Sequence, residues 1–322
     1  MQSITLTRRQ LLAVIPSLTG LPAFAQSYPN RSIRVVVPYP AGGTTDQLAR
    51  AIQQPLSDLL GQAVIIDNKA GAGGTIGVDL VAKAPPDGYT LVFGNTGPNA
   101  VVHLLRKIPY DPVRDLRPIS TVALTPMILA VPTDSPAKNL KEFLTYARQE
   151  GSALNYGSVG NGSLSHLTGE FFNDMANLKI QHIPYSGGAP LLTAFAGGQI
   201  QAAFVTGLDG SAMLASGRVR YLAVATPRRT EIVPGLPAIA EEVTGFASTA
   251  WFGMLGPKGM PDDVLAKINA AVVAAVARAD IKKLFSDRRI EARSSTPQEM
   301  DRRIAEEIEQ WNQVIRKGSI TS

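Results

Sequence analysis

The sequence predicts an α/β protein of two lobes, each a doubly wound sheet, joined by a hinge that the chain crosses twice. Short runs rich in Val and Ile alternate with glycine-rich loops and amphipathic helices. This alternation is typical of a mainly parallel sheet covered by helices on both faces. The pattern runs through two successive sets, and 322 residues are enough for two domains of about 100–200 residues each.

The first set of elements precedes Pro118. A helix is expected to follow the first strand and to end at Gly61, because glycine readily adopts the left-handed conformation that closes helices. The residues that follow the second strand show the same helical periodicity. The set comprises three predicted strands, at residues 33–37, 63–66 and 89–93, and two predicted helices, at 45–60 and 75–84.

The second set follows Pro118, and the chain then returns to the first lobe. The predicted strands of this set lie at 127–131, 180–183, 200–205 and 221–225, with helices at 140–149, 163–175 and 188–196. The return strand is placed at 251–255, followed by long amphipathic helices over 262–285 and 297–315. These assignments give lobe 1 as residues 26–124 and 250–322, and lobe 2 as 125–249.

The first residues are typical of an export signal. Arg8 and Arg9 precede an apolar run over 11–24, and Ala23-Phe24-Ala25 is a small-x-small cleavage pattern. The run is too short to span a bilayer. We therefore predict a signal peptide over residues 1–25, cleaved near Ala25. The paired arginines also resemble a twin-arginine signal, and both export routes stay open.

Composition excludes several classes of function. The chain has no cysteine, which excludes disulfides and thiolate metal sites. Its net charge of +5 includes two arginines of the predicted signal, and the other charges are scattered without a basic stripe. Nucleic-acid binding is therefore not expected. The three histidines show no metal-ligand spacing, and no metal or cofactor is predicted.

Five glycine-rich or polar loops follow predicted strands and precede helices, at residues 39–46, 68–75, 94–99, 157–166 and 185–188. A helix start presents unpaired N–H groups and a partial positive charge, which favours an anion. The loops contain no arginine, and their one lysine is Lys69. We therefore expect backbone N–H groups, hydroxyls and water to hold the ligand, although each loop is also interpretable as a simple strand-to-helix turn.

Two patterns within these loops superficially suggest an enzyme. Gly71-Ala72-Gly73-Gly74 lacks the G-x-G-x-x-G spacing of a dinucleotide site and the lysine of a P-loop. Ser163 and His166 are three residues apart, which on a helix brings them close. No G-x-S-x-G elbow surrounds Ser163, and a histidine on a helix face is the simpler interpretation of His166. A serine hydrolase stays the weaker alternative, and the chain is expected not to be an enzyme.

An ordered set of motifs resembles one protein family. The motifs are Val35-Val36-Val37-Pro38-Tyr39-Pro40-Ala41-Gly42-Gly43, Asn68-Lys69-Ala70-Gly71-Ala72-Gly73-Gly74, Asp87-Gly88-Tyr89, Tyr156-Gly157-Ser158-Val159-Gly160-Asn161-Gly162-Ser163, Pro184-Tyr185-Ser186-Gly187-Gly188 and Trp251-Phe252-Gly253. Together they are similar to the tripartite tricarboxylate transporter receptors, the Bug-type periplasmic binding proteins. The resemblance covers essentially the whole chain after residue 25.

The resemblance implies a type II periplasmic binding protein, or Venus flytrap, that works as a monomer in the periplasm. It also implies a small organic acid as ligand and membrane transport subunits as partners. A sensory receptor that signals to a membrane partner uses the same capture chemistry and stays open. The loop chemistry and the resemblance together give the predicted ligand residues: Tyr39, Ala41, Gly42, Gly43, Asp46, Asn95, Thr96, Ser158, Gly160, Asn161, Ser163, His166, Tyr185 and Thr206.

One departure from the family concerns an acidic residue. Relatives often carry an aspartate after the strand that follows Gly198-Gln199-Ile200, where it meets an amino group of the ligand. Here Thr206 follows that strand, and Asp209 comes three residues later. We therefore leave Asp209 out of the predicted site and expect amino acids to bind more weakly than plain carboxylates.

Overall fold

The computed structural model describes residues 28–150, 153–215 and 217–318. The predicted signal peptide and its cleavage site lie outside these residues. The described chain forms strands β1 (Ile33–Val37), β2 (Val64–Asn68), β3 (Thr90–Asn95), β4 (Leu116–Pro126), β5 (Ile128–Pro132), β6 (Asn155–Ser158), β7 (Gln181–Pro184), β8 (Ala202–Val205), β9 (Val219–Val224), β10 (Thr249–Pro257) and β11 (Glu291–Ala292).

The helices follow the strands in the alternation that the sequence predicts. They are α1 (Thr44–Leu60), α2 (Thr75–Ala82), α3 (Val102–Leu105), α4 (Leu140–Glu150), α5 (Leu164–Ala176), α6 (Gly188–Ala196), α7 (Gly207–Ala215), α8 (Asp262–Ala277), α9 (Ala279–Asp287) and α10 (Pro297–Gly318). Helix α1 ends where predicted, because Gly61 adopts a left-handed conformation with φ of 67°.

Two sheets define the two lobes. The first has the strand order β11-β4-β10-β3-β1-β2, and the second has the order β7-β6-β8-β5-β9. The chain passes from the first sheet to the second between Pro126 and Ile128, and returns between Val224 and Thr249. Two connections of this kind allow the lobes to rotate about a hinge.

The sheets are more mixed than the sequence predicts. Strands β1, β2 and β3 are parallel, but β10 pairs antiparallel with both β3 and β4. The reason is connectivity, since β4 leaves the first lobe and β10 returns to it. Strand β4 was not predicted because Pro118 and Pro126 indicate turns. It tolerates Pro118 where the register with β10 shifts, between Met254 and Leu255.

One predicted helix is two helices in the structure. The segment 262–285 breaks at Arg278, whose ψ of 140° is extended rather than helical. Asp280, in the first turn of the new helix α9, accepts hydrogen bonds from the Arg278 guanidinium and from the Ile281 N–H, and its negative charge suits the start of a helix. Helix α10 then packs on lobe 1. The centroid of its Trp311 ring lies 6.0 Å from that of Phe171 on α5 of lobe 2, in an edge-to-face arrangement.

Candidate functional site

A cavity lies where the two lobes meet, beyond the carboxyl ends of β1, β3, β6 and β8. Its volume is about 60 Å³. In this closed conformation the cavity is smaller than the pockets of about 300–1,000 Å³ that typically hold small-molecule ligands. Lobe 1 contributes Tyr39, Gly43, Thr44, Thr45, Asn95, Thr96, Ala250 and Phe252, and lobe 2 contributes Met127, Val159, Ser163, Leu164, Ser165, Gly188, Phe204, Thr206 and Asp209.

Four helices begin at this cavity. Helices α1, α5, α6 and α7 start at Thr44, Leu164, Gly188 and Gly207, and the lining includes the first residues of α1, α5 and α6 and the residue just before α7. The positive ends of the helix dipoles therefore converge at the cavity from both lobes. None of the described residues that line the cavity is a lysine or an arginine. The wall is thus suited to an anion held by N–H groups and hydroxyls.

The wall from lobe 1 is held by hydrogen bonds among its own polar residues. The Tyr39 hydroxyl donates to the Gly73 carbonyl at 3.1 Å. Asn95 Nδ2 donates to Thr45 Oγ1 at 3.2 Å. Burial raises the pKa of Tyr39 above its usual range, only partly offset by a hydrogen bond with Asn95. Tyr39 therefore stays a neutral hydroxyl beside the cavity.

Thr96 connects the cavity with the C-terminal helix. Its Oγ1 accepts a hydrogen bond from the Trp251 N–H at 3.2 Å. The Trp251 indole donates to Glu307 of α10 at 2.9 Å. Burial raises the pKa of Glu307 to about 8, although hydrogen bonds from Trp251 and Thr96 oppose the shift. An ionisable carboxyl on α10 therefore lies directly behind the cavity wall.

The wall from lobe 2 depends on the start of helix α5. Ser163 is its N-cap, and Ser163 Oγ accepts from the His166 N–H at 3.4 Å. Ser165 Oγ accepts from the Val159 N–H at 3.1 Å and lies 3.1 Å from Ser163 Oγ. These bonds hold both hydroxyl groups at the cavity surface.

A stack of aromatic rings supports this wall from behind. The His166 and His182 rings stack at 4.0 Å, and the Tyr156 ring lies 5.0 Å from His182. Ser158 Oγ and His182 Nε2 share a hydrogen bond of 2.6 Å. Burial lowers the pKa of His166 to about 4. Burial and the neighbouring His166 together lower that of His182 to about 3, so both rings are neutral at ordinary pH.

The same contacts weaken the hydrolase alternative. His166 Nδ1 accepts a hydrogen bond from the Gly162 N–H at 3.2 Å, and its ring is stacked on His182. Ser163 meets the backbone N–H of His166, which is a helix-capping contact. A nucleophilic serine instead requires its hydroxyl to be hydrogen-bonded to the imidazole ring of its base. Ser163 and His166 are therefore engaged as a helix cap and a packed ring.

The structure places six of the predicted ligand residues in the cavity wall: Tyr39, Gly43, Asn95, Thr96, Ser163 and Thr206. The other eight are not part of the wall in this conformation. His166 belongs to the ring stack behind the wall, and Ser158 is hydrogen-bonded to His182 of that stack. Ala41 and Gly42 lie on the exposed outer side of their turn.

Asp46 was predicted to contact the ligand, and the structure gives it structural partners instead. Its carboxylate accepts hydrogen bonds from the Gly42 N–H, from Arg50 Nε and from Asn68 Nδ2, each at 2.9 Å. Burial by itself raises the pKa of Asp46, but the bonds from Arg50, Gly42 and Asn68 outweigh it and lower the pKa. Asp46 therefore shapes the turn before α1.

Gly160, Asn161 and Tyr185 lie at the contact between the lobes. A Cβ added to Gly73 of lobe 1 would stand 2.3 Å from the Asn161 carbonyl oxygen, and one added to Gly160 would stand 3.5 Å from Gly73 Cα. The Tyr185 N–H donates to the Ser158 carbonyl at 3.0 Å, which ties the two lobe-2 loops together. These residues close the rim of the cavity.

The sequence prediction missed several wall residues, and Asp209 is the most important of them. Its carboxylate accepts a hydrogen bond from the Thr44 N–H at 3.0 Å and one from Thr206 Oγ1 at 3.1 Å. The local sequence offered one signal, because an acid three residues after a threonine is typical of a helix start. The others missed are Thr44, Thr45, Val159, Leu164, Ser165, Gly188 and the apolar residues Met127, Phe204, Ala250 and Phe252.

The described residues contain neither a metal-binding cluster nor a helix able to span a membrane. Across residues 28–150, 153–215 and 217–318, no group of three or more His, Asp or Glu side chains is placed to hold a metal ion. Within the same ranges, no helix combines the length and the apolar character needed to cross a bilayer.

The chain is similar to known proteins over most of its length. It is 33% identical to the "UPF0065 protein in tcbD-tcbE intergenic region" of Pseudomonas sp. (strain P51), covering 96% of this chain and 93% of that one. Rpa4515 of R. palustris, solved with adipate, has a TM-score of 0.88 and 35% identity, covering 91% and 99% of the two chains.

A second solved structure, MatC from Rhodopseudomonas palustris with bound malate, has a TM-score of 0.85 and 33% identity, covering 89% and 100% of the two chains. These matches confirm the predicted fold, that of periplasmic binding proteins of the Bug type. The model of the tripartite tricarboxylate transporter family receptor matches residues 48–320. The chain therefore belongs to the tripartite tricarboxylate transporter receptor family.

Proposed function

We propose that this chain is a periplasmic receptor that captures a small organic acid between its lobes and delivers it to membrane subunits of a tripartite transporter. The observation that carries the proposal is the convergence of four helix starts on a cavity whose described lining lacks lysine and arginine. A carboxylate suits such donors, and it is released when the lobes separate because the start of α1 moves away with lobe 1 and the other three helix starts move with lobe 2.

The relatives support the same class of ligand. Adipate and malate, bound by two similar proteins, are both dicarboxylates. The hydroxyls of Thr45, Ser163 and Ser165, with the amide of Asn95, are the side-chain donors that we assign to the ligand's oxygens. The role is binding without turnover, since the Ser163 and His166 side chains are engaged in structural contacts.

Two aspects of the proposal depend on the family more than on the cavity. The predicted signal peptide supports a periplasmic location for the mature chain, and the match to a transporter receptor family supports transport subunits as partners of the proposed monomer. A sensory role would use the same capture step. Co-purification of the tagged receptor from membranes with either transport subunits or a sensor protein separates these two roles.

The capture step is tested by calorimetry with adipate and malate and by mass spectrometry of any acid that co-purifies. Thr45→Val removes one wall hydroxyl at nearly constant volume. We expect it to weaken binding about 5- to 150-fold, since leaving a buried hydrogen-bonding group unpaired costs about 1–3 kcal/mol. Thr145→Val is the matched control, because Thr145 is exposed on α4.

The outcomes are distinct. Binding that Thr45→Val weakens and Thr145→Val leaves unchanged would support the proposed site. If a wide panel of mono- and dicarboxylates neither binds nor raises the melting temperature, the organic-acid proposal is wrong, because a ligand of the native state must stabilise it.

A further inference from the structure

The most direct polar contact between the two lobes involves three side chains beside the cavity. Thr44 begins helix α1 in lobe 1, whereas Thr206 and Asp209 lie before and within α7 in lobe 2. The Thr44 N–H donates to Asp209 Oδ1 at 3.0 Å, and the Thr44 and Thr206 hydroxyls lie 2.6 Å apart. All three are buried, with exposed fractions of 4%, 6% and 8%. This contact exists only while the cleft is closed.

The Asp209 carboxyl has hydrogen-bond donors but no cation against it. Thr206 Oγ1 donates to Asp209 Oδ2 at 3.1 Å, and the Asp209 N–H donates back to Thr206 Oγ1 at 3.1 Å. A Cβ on Gly188 would lie 3.0 Å from Asp209 Oδ1, so the start of α6 also faces the carboxyl. Burial raises the pKa of Asp209, and the bonds from Thr44 and Thr206 oppose the shift without cancelling it.

Few other ionisable groups face this corner. On α1, Asp46 is paired with Arg50. On β9, Tyr221 donates to the Gly207 carbonyl at 3.4 Å and stays neutral because burial raises its pKa. Arg289, which precedes β11, lies over the Tyr221 ring at 5.9 Å and donates to Ser211 of α7. The described segments of α6 and β8 contribute no ionisable side chain.

A bound organic acid adds negative charge to the same cavity. Like charges in a poorly solvated site disfavour each other's ionised form, and here no lysine or arginine of the described lining compensates. An ionised Asp209 would therefore oppose the ligand. A neutral Asp209 keeps its contact with Thr44 and carries one proton that it can donate.

We propose that Asp209 is a cross-lobe latch that takes up one proton from solvent when the cleft closes on an organic acid. Capture by this receptor is then linked to pH. The open receptor has an ionised, hydrated Asp209. The closed complex has a protonated Asp209 bonded across the cleft to Thr44. This inference rests on the proposed function, since the ligand's charge drives the proton uptake.

The test is calorimetry of the full receptor with adipate and with malate at about pH 8, in buffers of different ionisation enthalpy, which counts protons exchanged per ligand bound. Both acids are fully ionised at that pH. We expect net proton uptake by the wild type, at most one proton per ligand, with affinity that falls as pH rises by no more than about tenfold per pH unit. Asp209→Asn, which cannot ionise, should abolish the uptake and make the affinity independent of pH.

Two variants exclude other sources of the proton. Glu307→Gln removes a carboxyl whose pKa burial raises to about 8 and that contacts the wall through Thr96. Asp58→Asn removes an exposed carboxyl of α1 far from the cavity. We expect both variants to show the same proton uptake as the wild type.

The outcomes separate this inference from the proposed function. Wild-type binding without proton uptake would overturn the latch alone, and so would uptake that survives in Asp209→Asn or disappears in Glu307→Gln. Failure of both acids to bind the wild type would overturn the proposed function and this inference with it. The wild-type buffer series decides the proton count even if a variant does not fold.

Discussion

Replacement of Gly73 by alanine is expected to block closure of the cleft while leaving both lobes folded. Gly73 belongs to lobe 1 and faces Asn161 of lobe 2. An added Cβ would stand 2.3 Å from the Asn161 carbonyl oxygen, whereas real Cβ contacts essentially never fall below 3.0 Å. The lobes must therefore separate by at least about 0.7 Å at this point. Such a displacement also stretches the bond of 3.0 Å between Thr44 and Asp209.

The magnitude follows from the cost of overpacking, which is about 1–3 kcal/mol for a tightly packed site. Because only the closed state has the clash, this cost appears as lost affinity, about 5- to 150-fold. Gly73 also has a φ of +66°, which costs alanine about 1–2 kcal/mol in any state of the cleft. That second cost lowers the melting temperature without affecting closure.

Gly198→Ala is the matched control for the backbone cost. Gly198 has a φ of +71°, and an added Cβ would meet nothing within 4 Å. Calorimetry with adipate or malate should show weaker binding only for Gly73→Ala, while thermal unfolding shows a similar loss for both. Equal affinities in the two variants would refute the argument that this contact limits closure.

Four further predictions concern ionisation and ligand chemistry. Because burial lowers the pKa of His182 to about 3, against about 6.5 in an unfolded chain, stability should fall as pH drops below about 6.5, and His182→Asn should lessen the fall in pH-dependent melting curves. Because burial raises the pKa of Glu307 to about 8, the free energy of unfolding should fall as pH rises from about 4.5 to about 8. Glu307→Gln should make the melting temperature less dependent on pH over this range. An unchanged pH dependence would contradict the raised pKa of Glu307. Ser163→Ala and His166→Ala should at most weaken ligand binding. If the wild type hydrolyses an ester and either variant abolishes that activity, the hydrolase alternative is supported instead. We also expect aspartate and glutamate to bind more weakly than malate, and calorimetry ranking an amino acid tightest would exclude this.

Elements with a strong local signal were predictable from the sequence. Helix α1 has the predicted C-terminal stop at Gly61, where the structure has φ of 67°. Strand β4 was not predictable from the sequence, because Pro118 and Pro126 indicate turns. The long pairing with β10 is what makes this segment a strand. The break at Arg278 was also missed, since the apolar periodicity continues through it.

For the cavity too, features with a local sequence signal were predictable, and contacts between distant segments were not. Loops with glycine and hydroxyl residues at helix starts were identified, and six residues predicted from them lie in the wall. The sequence predicts Asp46 as a ligand residue, yet its carboxylate accepts hydrogen bonds from Arg50 and Asn68. Asp209 was left out, yet it is in the wall because Thr44 reaches it from 165 residues away in the chain.

The sequence by itself determined the alternation of strands, glycine-rich loops and helices over most of the chain, its division into two sets of elements, and that the five loops contain no arginine and one lysine. These properties depend on residue type and short spacing, which local sequence expresses directly. Only the tertiary structure decided which loops face each other, which side chains point inward, and that Asp209 meets Thr44 across the cleft. Those properties depend on how two lobes pack, and no single segment of the chain specifies that packing.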